Sequence, residues 1–292
     1  MVECLKKHII TIVAISLIVV GIVVTVVLVV VINNKKKEDE GSKTDEDDGD
    51  KEEIILTILK NNSQLIRPNV KLNAEFEYVK MGNNMTGLII CDSFASSFHI
   101  QFMMNYGAYI DTISGISHLG EHMVFQSYKN YNSLYPIHNF VSPLKNSRLN
   151  ARTLGTSQMY YITLPFNLFY EKAMDRLADA FSYPLFSPDL IINEIQAINN
   201  EFYERMTSEL VEEDIIRQLS NNQTSFNGMI CGNNETLIPS ESEKLSKILK
   251  GYYMLIKNPN NIFFVLYSNK TIKESEEIAK EYLNYKMHIF PK

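Results

Sequence analysis

At 292 residues and 45% hydrophobic content, the chain has room for one or two domains and enough apolar side chains to fill a core. Its formal net charge is −6, and no basic patch with interleaved aromatics occurs, so a nucleic-acid surface is not expected. Three widely separated cysteines, Cys4, Cys91 and Cys231, give no zinc-finger spacing, and a Cys91–Cys231 disulfide is the less favoured expectation.

A short tail, residues 1–8, precedes an uncharged run, residues 9–32. As a helix that run would span about 36 Å, enough to cross a hydrocarbon core of about 30 Å. It ends in Asn-Asn-Lys-Lys-Lys rather than in the small residues of a cleavage site, so it reads as an uncleaved transmembrane anchor in a lipid bilayer. A strict count of Lys6 and Lys7 against Lys35, Lys36 and Lys37 slightly favours the C-terminal side inside. The acids just after Lys37 and the free N-terminal amine weaken that count. The expectation is a single-pass type II protein with its domain lumenal or extracellular. Residues 33–53 form a charged linker. Within it, residues 38–53 hold ten acids and two lysines, so the acidity is local, and a like-charged run without apolar residues stays extended.

Residues 54–292 read as a single globular domain. Phe76–Met81, Gly87–Cys91 and Ser97–Met104 are predicted strands; in the last, Phe98, Ile100 and Phe102 alternate with His99, Gln101 and Met103. A helix is expected between Leu134 and Leu144, interrupted by Pro136 and Pro143. Asn150–Thr153 and Gln158–Leu164 read as paired strands about Gly155-Thr156. An amphipathic helix over Leu168–Phe181 puts Ala173, Leu177, Ala180 and Phe181 inward. A helix from Pro188 past Leu219, an irregular stretch over Ser220–Pro239, a helix over Glu241–Leu255, a buried strand over Ile262–Tyr267 and a helix over Lys273–Tyr282 complete the series. The mixed order predicts an α+β fold, a mixed or antiparallel sheet layered with helices.

Within that frame, Gly115-Ile-Ser-His118-Leu-Gly-Glu121-His122 carries the chemistry. On a helix His118 and His122 lie one turn apart on one face, able to hold one divalent ion, and Glu121 reaches the same side. A third ligand must come from elsewhere. Glu194 and Glu201 lie two turns apart on the helix that starts at Pro188, beside an apolar stripe of Ile191, Ile195, Ile198 and Phe202. Packing by that stripe could aim Glu201 at the metal. His99, His138 and His288 receive no role.

His118, Glu121, His122, Glu194 and Glu201 resemble the H-x-x-E-H and E-x6-E signature of the M16 zinc metallopeptidases, relatives of insulinase and pitrilysin. Leu149-Asn150-Ala151-Arg152-Thr153, Tyr160-Tyr161, Ala173–Phe181 and Pro184-Leu-Phe186 extend the resemblance, which covers roughly residues 65–285. It implies the M16 catalytic-domain fold and one Zn2+ per domain, ligated by His118, His122 and Glu201. It implies peptide-bond hydrolysis through a zinc-bound water with Glu121 as general base, and Glu194 orienting a ligand histidine. Asn150 and Ala151 fall on the family's edge strand, where short or unfolded peptide substrates add by backbone pairing. Departures are Lys145-Asn-Ser-Arg in place of the family's glycine pair, Ser127 and Asn132 in place of its Gly and Pro, and Gln158 in place of its later Thr. Family enzymes close two halves around substrate, so the resemblance implies a second M16-type domain or chain as partner. The alternatives are a non-catalytic M16-like subunit or peptide-binding module, or a fragment of a longer peptidase.

Overall fold

The computed structural model describes residues 56–61, 74–131, 135–166, 170–206, 210–221 and 226–286. The uncharged run at 9–32 and the acidic linker lie outside them. Among the described residues no helix is long and apolar enough to cross a membrane.

Among the described residues seven strands form one sheet: β1 (Leu56–Lys60), β2 (Ala74–Met81), β3 (Thr86–Asp92), β4 (Ser97–Met104), β5 (Arg148–Thr153), β6 (Gln158–Pro165) and β7 (Ile262–Ser268), in the order β1-β2-β3-β7-β4-β6-β5. All neighbours are antiparallel except β3 and β7. Strict alternation makes the sheet two-faced. Phe98, Ile100 and Phe102 of β4 stand in register with Leu164, Ile162 and Tyr160 of β6, and Ile100 and Phe102 with Leu266 and Phe264 of β7; all are buried. His99, Gln101 and Met103 point to the other, half-open face.

Among the described residues seven α-helices follow the same logic: α1 (Ile116–Val124), α2 (Pro136–Val141), α3 (Tyr170–Ser182), α4 (Pro188–Arg205), α5 (Leu210–Leu219), α6 (Ser242–Ile256) and α7 (Ile272–Ala279). In α3 the apolar stripe Ala173, Leu177, Ala180 and Phe181 is buried as its spacing requires. In α4 Pro188 takes the first turn, where its missing N–H costs nothing, and Asp189 complements the helix dipole. Ile191, Ile195 and Ile198 are fully buried, which locks the roll of that helix. Phe125, just past α1, meets Tyr160 and Phe181 edge-on at ring-centroid distances of 5.6 and 6.1 Å. Such pairs contribute roughly 0.5–1.5 kcal/mol each beyond area burial, and here they fix the end of α1 against the sheet.

The structure corrects four expectations. The helix from Pro188 ends at Arg205, not beyond Leu219, and α5 is separate. The last helix changes at Ala279 into a wider π turn, Lys280–Lys286. That turn buries Tyr282 and Leu283, and the Asn284 side chain accepts from the Asn83 N–H at 3.0 Å. The Leu134–Leu144 helix shortens to α2 with Pro136 in its first turn rather than inside it. Strand β1, which carries no clean alternation, was not expected at all. Cys91 and Cys231 are both free and buried, so the disulfide does not form.

Candidate metal centre

Helix α1 presents His118 and His122 from adjacent turns. Its entry is fixed twice over. Gly115, at φ +85°, turns the chain into the helix, and a Cβ there would lie 2.5 Å from the Cα of Gly232. Asp111 then accepts from the Ser117 N–H at 3.1 Å and from the Ser117 hydroxyl, satisfying an N-terminal donor that the helix cannot. The Ser117 Oγ also lies 2.6 Å from the Tyr252 hydroxyl.

The close approach of Gly115 and Gly232 brings the Cys231 carbonyl 2.8 Å from His118 Nδ1. A carbonyl only accepts, so His118 carries its proton on Nδ1 and leaves Nε2 with a lone pair. On the neighbouring turn, His122 Nδ1 lies 3.0 Å from Glu194 Oε2, and the carboxylate holds the same tautomer. The two Nε2 atoms face each other at 3.3 Å. Glu201, from α4, brings Oε2 to 3.4 Å from His118 Nε2 and Oε1 to 3.6 Å from His122 Nε2. Two opposed lone pairs beside a carboxylate repel without a cation and suit one with it. The three donors lie within 4.8 Å of one another and form a group able to hold a metal ion.

Glu121 lines the same cleft as that triangle, on the side of β5. It is buried and accepts from the Thr153 hydroxyl at 2.5 Å. Burial pushes its carboxyl up to about 7, against the Thr153 hydrogen bond, which pulls it down. Burial, and then the charge of His122, lower His118 to about 4. For His122 burial acts downward, but the Glu194 hydrogen bond and the charges of Glu201, Glu121 and Glu194 outweigh it, and its pKa is raised.

A cleft of about 420 Å3 opens over these groups, and Asn150, Ala151, Arg152 and Thr153 of β5 form one wall. Strand β5 ends the sheet, so one row of its backbone groups has no strand partner among the described residues. Asn150 Nδ2 donates to the Tyr161 hydroxyl at 3.4 Å across the strand pair. The structure thus brings together all seven expected residues: His118, His122, Glu194 and Glu201 in contact with one another, and Glu121, Asn150 and Ala151 along the same cleft.

Four contributors escaped the sequence reading. The Cys231 carbonyl has no side-chain signal. In sequence Thr153 is only part of a strand, and Gln158 only a departure from the family pattern. Gln158 Nε2 donates to the Ser117 carbonyl at 2.6 Å and to Thr153 Oγ1 at 3.2 Å, and Tyr160 donates to Gln158 Oε1 at 3.2 Å. Its two-residue spacing from the buried Tyr160 was the available clue. His138 received no role, yet it lines the cleft from α2.

Donor atoms able to hold a cation, a buried carboxyl next to them and a strand edge along the cleft belong to an α+β domain with a candidate metal centre. Residues 92–233 match the family model of insulinase, peptidase family M16, and the chain carries a domain of that family. The insulin-degrading enzyme homolog of Dictyostelium discoideum is 24% identical over 216 residues, covering 72% of this chain and 22% of that protein. Protease 3 of Escherichia coli K12 is 25% identical over 221 residues, covering 75% of this chain and 23% of that protein. The crystal structure of pitrilysin shares the fold with a TM-score of 0.71 at 23% identity, over 81% of this chain and 25% of that one. The first half of the periplasmic protease PqqL from Escherichia coli shares it with a TM-score of 0.60 at 19% identity, over 72% of this chain and 46% of that one. The chain thus spans about a fifth to a quarter of the length of these two curated relatives.

Proposed function

We propose that this chain is a zinc-dependent metalloendopeptidase domain that hydrolyses short or unfolded peptides, with His118, His122 and Glu201 as ligands and Glu121 as general base. The observation that carries the proposal is the tautomer lock. Both Nδ1 positions are committed to acceptors, so both Nε2 lone pairs converge with Glu201 on one point. The residues therefore fit the metal. Zinc, when bound, supplies a Lewis acid that lowers the pKa of a coordinated water towards about 7 and polarises the scissile carbonyl.

The protein's own groups do the rest. Glu121 takes a proton at the carboxyl oxygen that Thr153 does not hold and returns it to the leaving amine; a pKa of about 7 suits both transfers near neutral pH. Glu194 holds the His122 ring in orientation and keeps its proton on Nδ1. The free edge of β5 pairs with an extended peptide through its backbone and lays the scissile bond over the site, with Asn150 and Ala151 in the pairing segment. A second M16-type domain or chain closes the cleft and excludes water; the partial coverage of the relatives supports this. The uncharged run at 9–32 supports a membrane anchor with the domain lumenal or extracellular.

The test is zinc quantification and fluorogenic-peptide cleavage by the purified full chain beside Glu121→Gln. The expected result is zinc in both proteins and cleavage only in the unaltered one. Zinc in both with no cleavage in either transfers catalysis to an assembly with a second half. Absence of zinc from both removes the metal centre and leaves a peptide-binding module.

A further inference from the structure

The first cleft does not end at the metal centre. A second, of about 380 Å3, joins it at His138 and Asn150 and is lined in part by Ser147, Arg148 and Leu149. The two together follow β5 along its whole length. Among the described residues, apart from Glu121 and Glu201, every carboxylate, lysine or arginine lining them is an arginine: Arg148, Arg152, Arg205 and Arg217.

Two of these arginines belong to the edge strand itself. Register with β6 puts Arg148 opposite Thr163, Asn150 opposite Tyr161 and Arg152 opposite Met159, so the three share one sheet face. Thr153 lies on the opposite face, towards Glu121. Arg148 and Arg152 are exposed, and neither forms an ion pair among the described residues. Asn150 stands between them and is tied to Tyr161.

We propose that the β5 groove selects acidic peptides, and specifically an extended segment with two carboxylates four residues apart, one opposite Arg148 and one opposite Arg152. This rests on the reading of β5 as the substrate edge. A strand added there repeats every two residues, and its same-face side chains stand next to those of β5. Four residues of extended chain span about 13 Å, the same as the separation of the two arginines along β5. The residue between the acids falls opposite Asn150 and is neutral. A pair three residues apart puts one acid on the wrong face, whichever direction the added strand runs.

The magnitude follows from cross-strand pairing. Opposite charges across exposed strands favour binding by about 1.4- to 5-fold per pair, hence about 2- to 30-fold for two. Both pairs are exposed, so the preference shrinks as salt rises.

The test uses the full chain carrying Glu121→Gln to suppress turnover, and short fluorescein-labelled threonine-rich peptides read by anisotropy. The peptides differ in one pair of residues: two glutamates four apart, two glutamines or two lysines at the same positions, and two glutamates three apart. The expected order of affinity is glutamate at four, glutamate at three, glutamine, lysine. The glutamate-to-glutamine ratio should fall to about one in Arg148→Gln/Arg152→Gln. Equal binding of the glutamate and glutamine peptides overturns the proposal, and leaves the arginines as charges that keep a free edge from pairing with other chains. A ratio that survives in the double variant also overturns it, as does failure of every peptide to bind. Cleavage of the glutamine peptide by the unaltered chain tests the peptidase reading separately, because it does not enter the ratio.

Discussion

Glu194 gives the sharpest test of the proposed centre, because on that reading it touches no metal and yet decides how well a ligand can serve. It is buried, comes from the helix that also carries Glu201, and holds His122 Nδ1 at 3.0 Å. Glu194→Gln keeps the shape and leaves an oxygen able to accept, but removes the charge. A hydrogen bond to a charged acceptor is about twice as strong as a neutral one, and loss of such a partner typically weakens metal binding 10- to 100-fold. Because the glutamine still accepts, the expected loss is near the lower end, about tenfold or 1.4 kcal/mol. Glu194→Ala, which removes the acceptor, should approach a hundredfold. The assay is zinc competition against a chromophoric chelator, starting from metal-free protein, with a thermal melt of each variant. Zinc affinity within about twofold of the unaltered chain in both variants would refute the reasoning. So would a loss that Ile198→Ala reproduces at equal destabilisation.

The remaining predictions follow from the same geometry. Gly232→Ala should cost about 1–3 kcal/mol in urea denaturation, since φ is +73° and the new Cβ would lie 2.9 Å from Gly115 Cα; it should also weaken zinc binding by moving the Cys231 carbonyl. Gln158→Leu should cost about 1–3 kcal/mol by leaving the buried Tyr160 hydroxyl without its acceptor, and should lower kcat more than KM by freeing Thr153. Burial holds the Asp111 carboxyl at about 7, against hydrogen bonds from Ser117 and Gly115, while the unfolded value is about 3.9. The folded state therefore binds the extra proton between these values, so this contribution to stability is full below about pH 4 and is lost as pH rises through about 7. Asp111→Asn should remove about one proton from the pH slope of stability over that window, as measured by denaturation at stepped pH.

The placement of the His118–His122 helix beside Glu194 and Glu201 can be read from sequence because that geometry is local. His118 and His122 are fixed by one turn of helix, and Glu194 and Glu201 by two turns plus the roll that Ile191, Ile195 and Ile198 impose. Thr153 and Gln158 could not be read this way, because their roles depend on β5 and β6 meeting α1 across the sheet face. The Cys231 carbonyl lies 113 residues from His118 in sequence and belongs to a segment without regular structure. Backbone groups look alike in every sequence, and only two touching glycines, Gly115 and Gly232, mark the approach. The strand alternation of β4 and β6 was plain. The order of strands was not, since nothing local says that β7 enters between β3 and β4.

That late insertion has a consequence for biogenesis. Strands β1–β3 and β4–β6 leave the ribosome as two separate half-sheets, each with an unpaired edge where β7 belongs. The strand that joins them is completed about 175 residues after β3, about 9–35 s later at common rates of synthesis. Until then Phe102 and Ile89 have no neighbour on that side, and two apolar edges are open to wrong pairing. The domain is therefore expected to fold slowly and in a single late step, to depend on chaperones while being made, and to yield insoluble product when synthesis stops before Ile262.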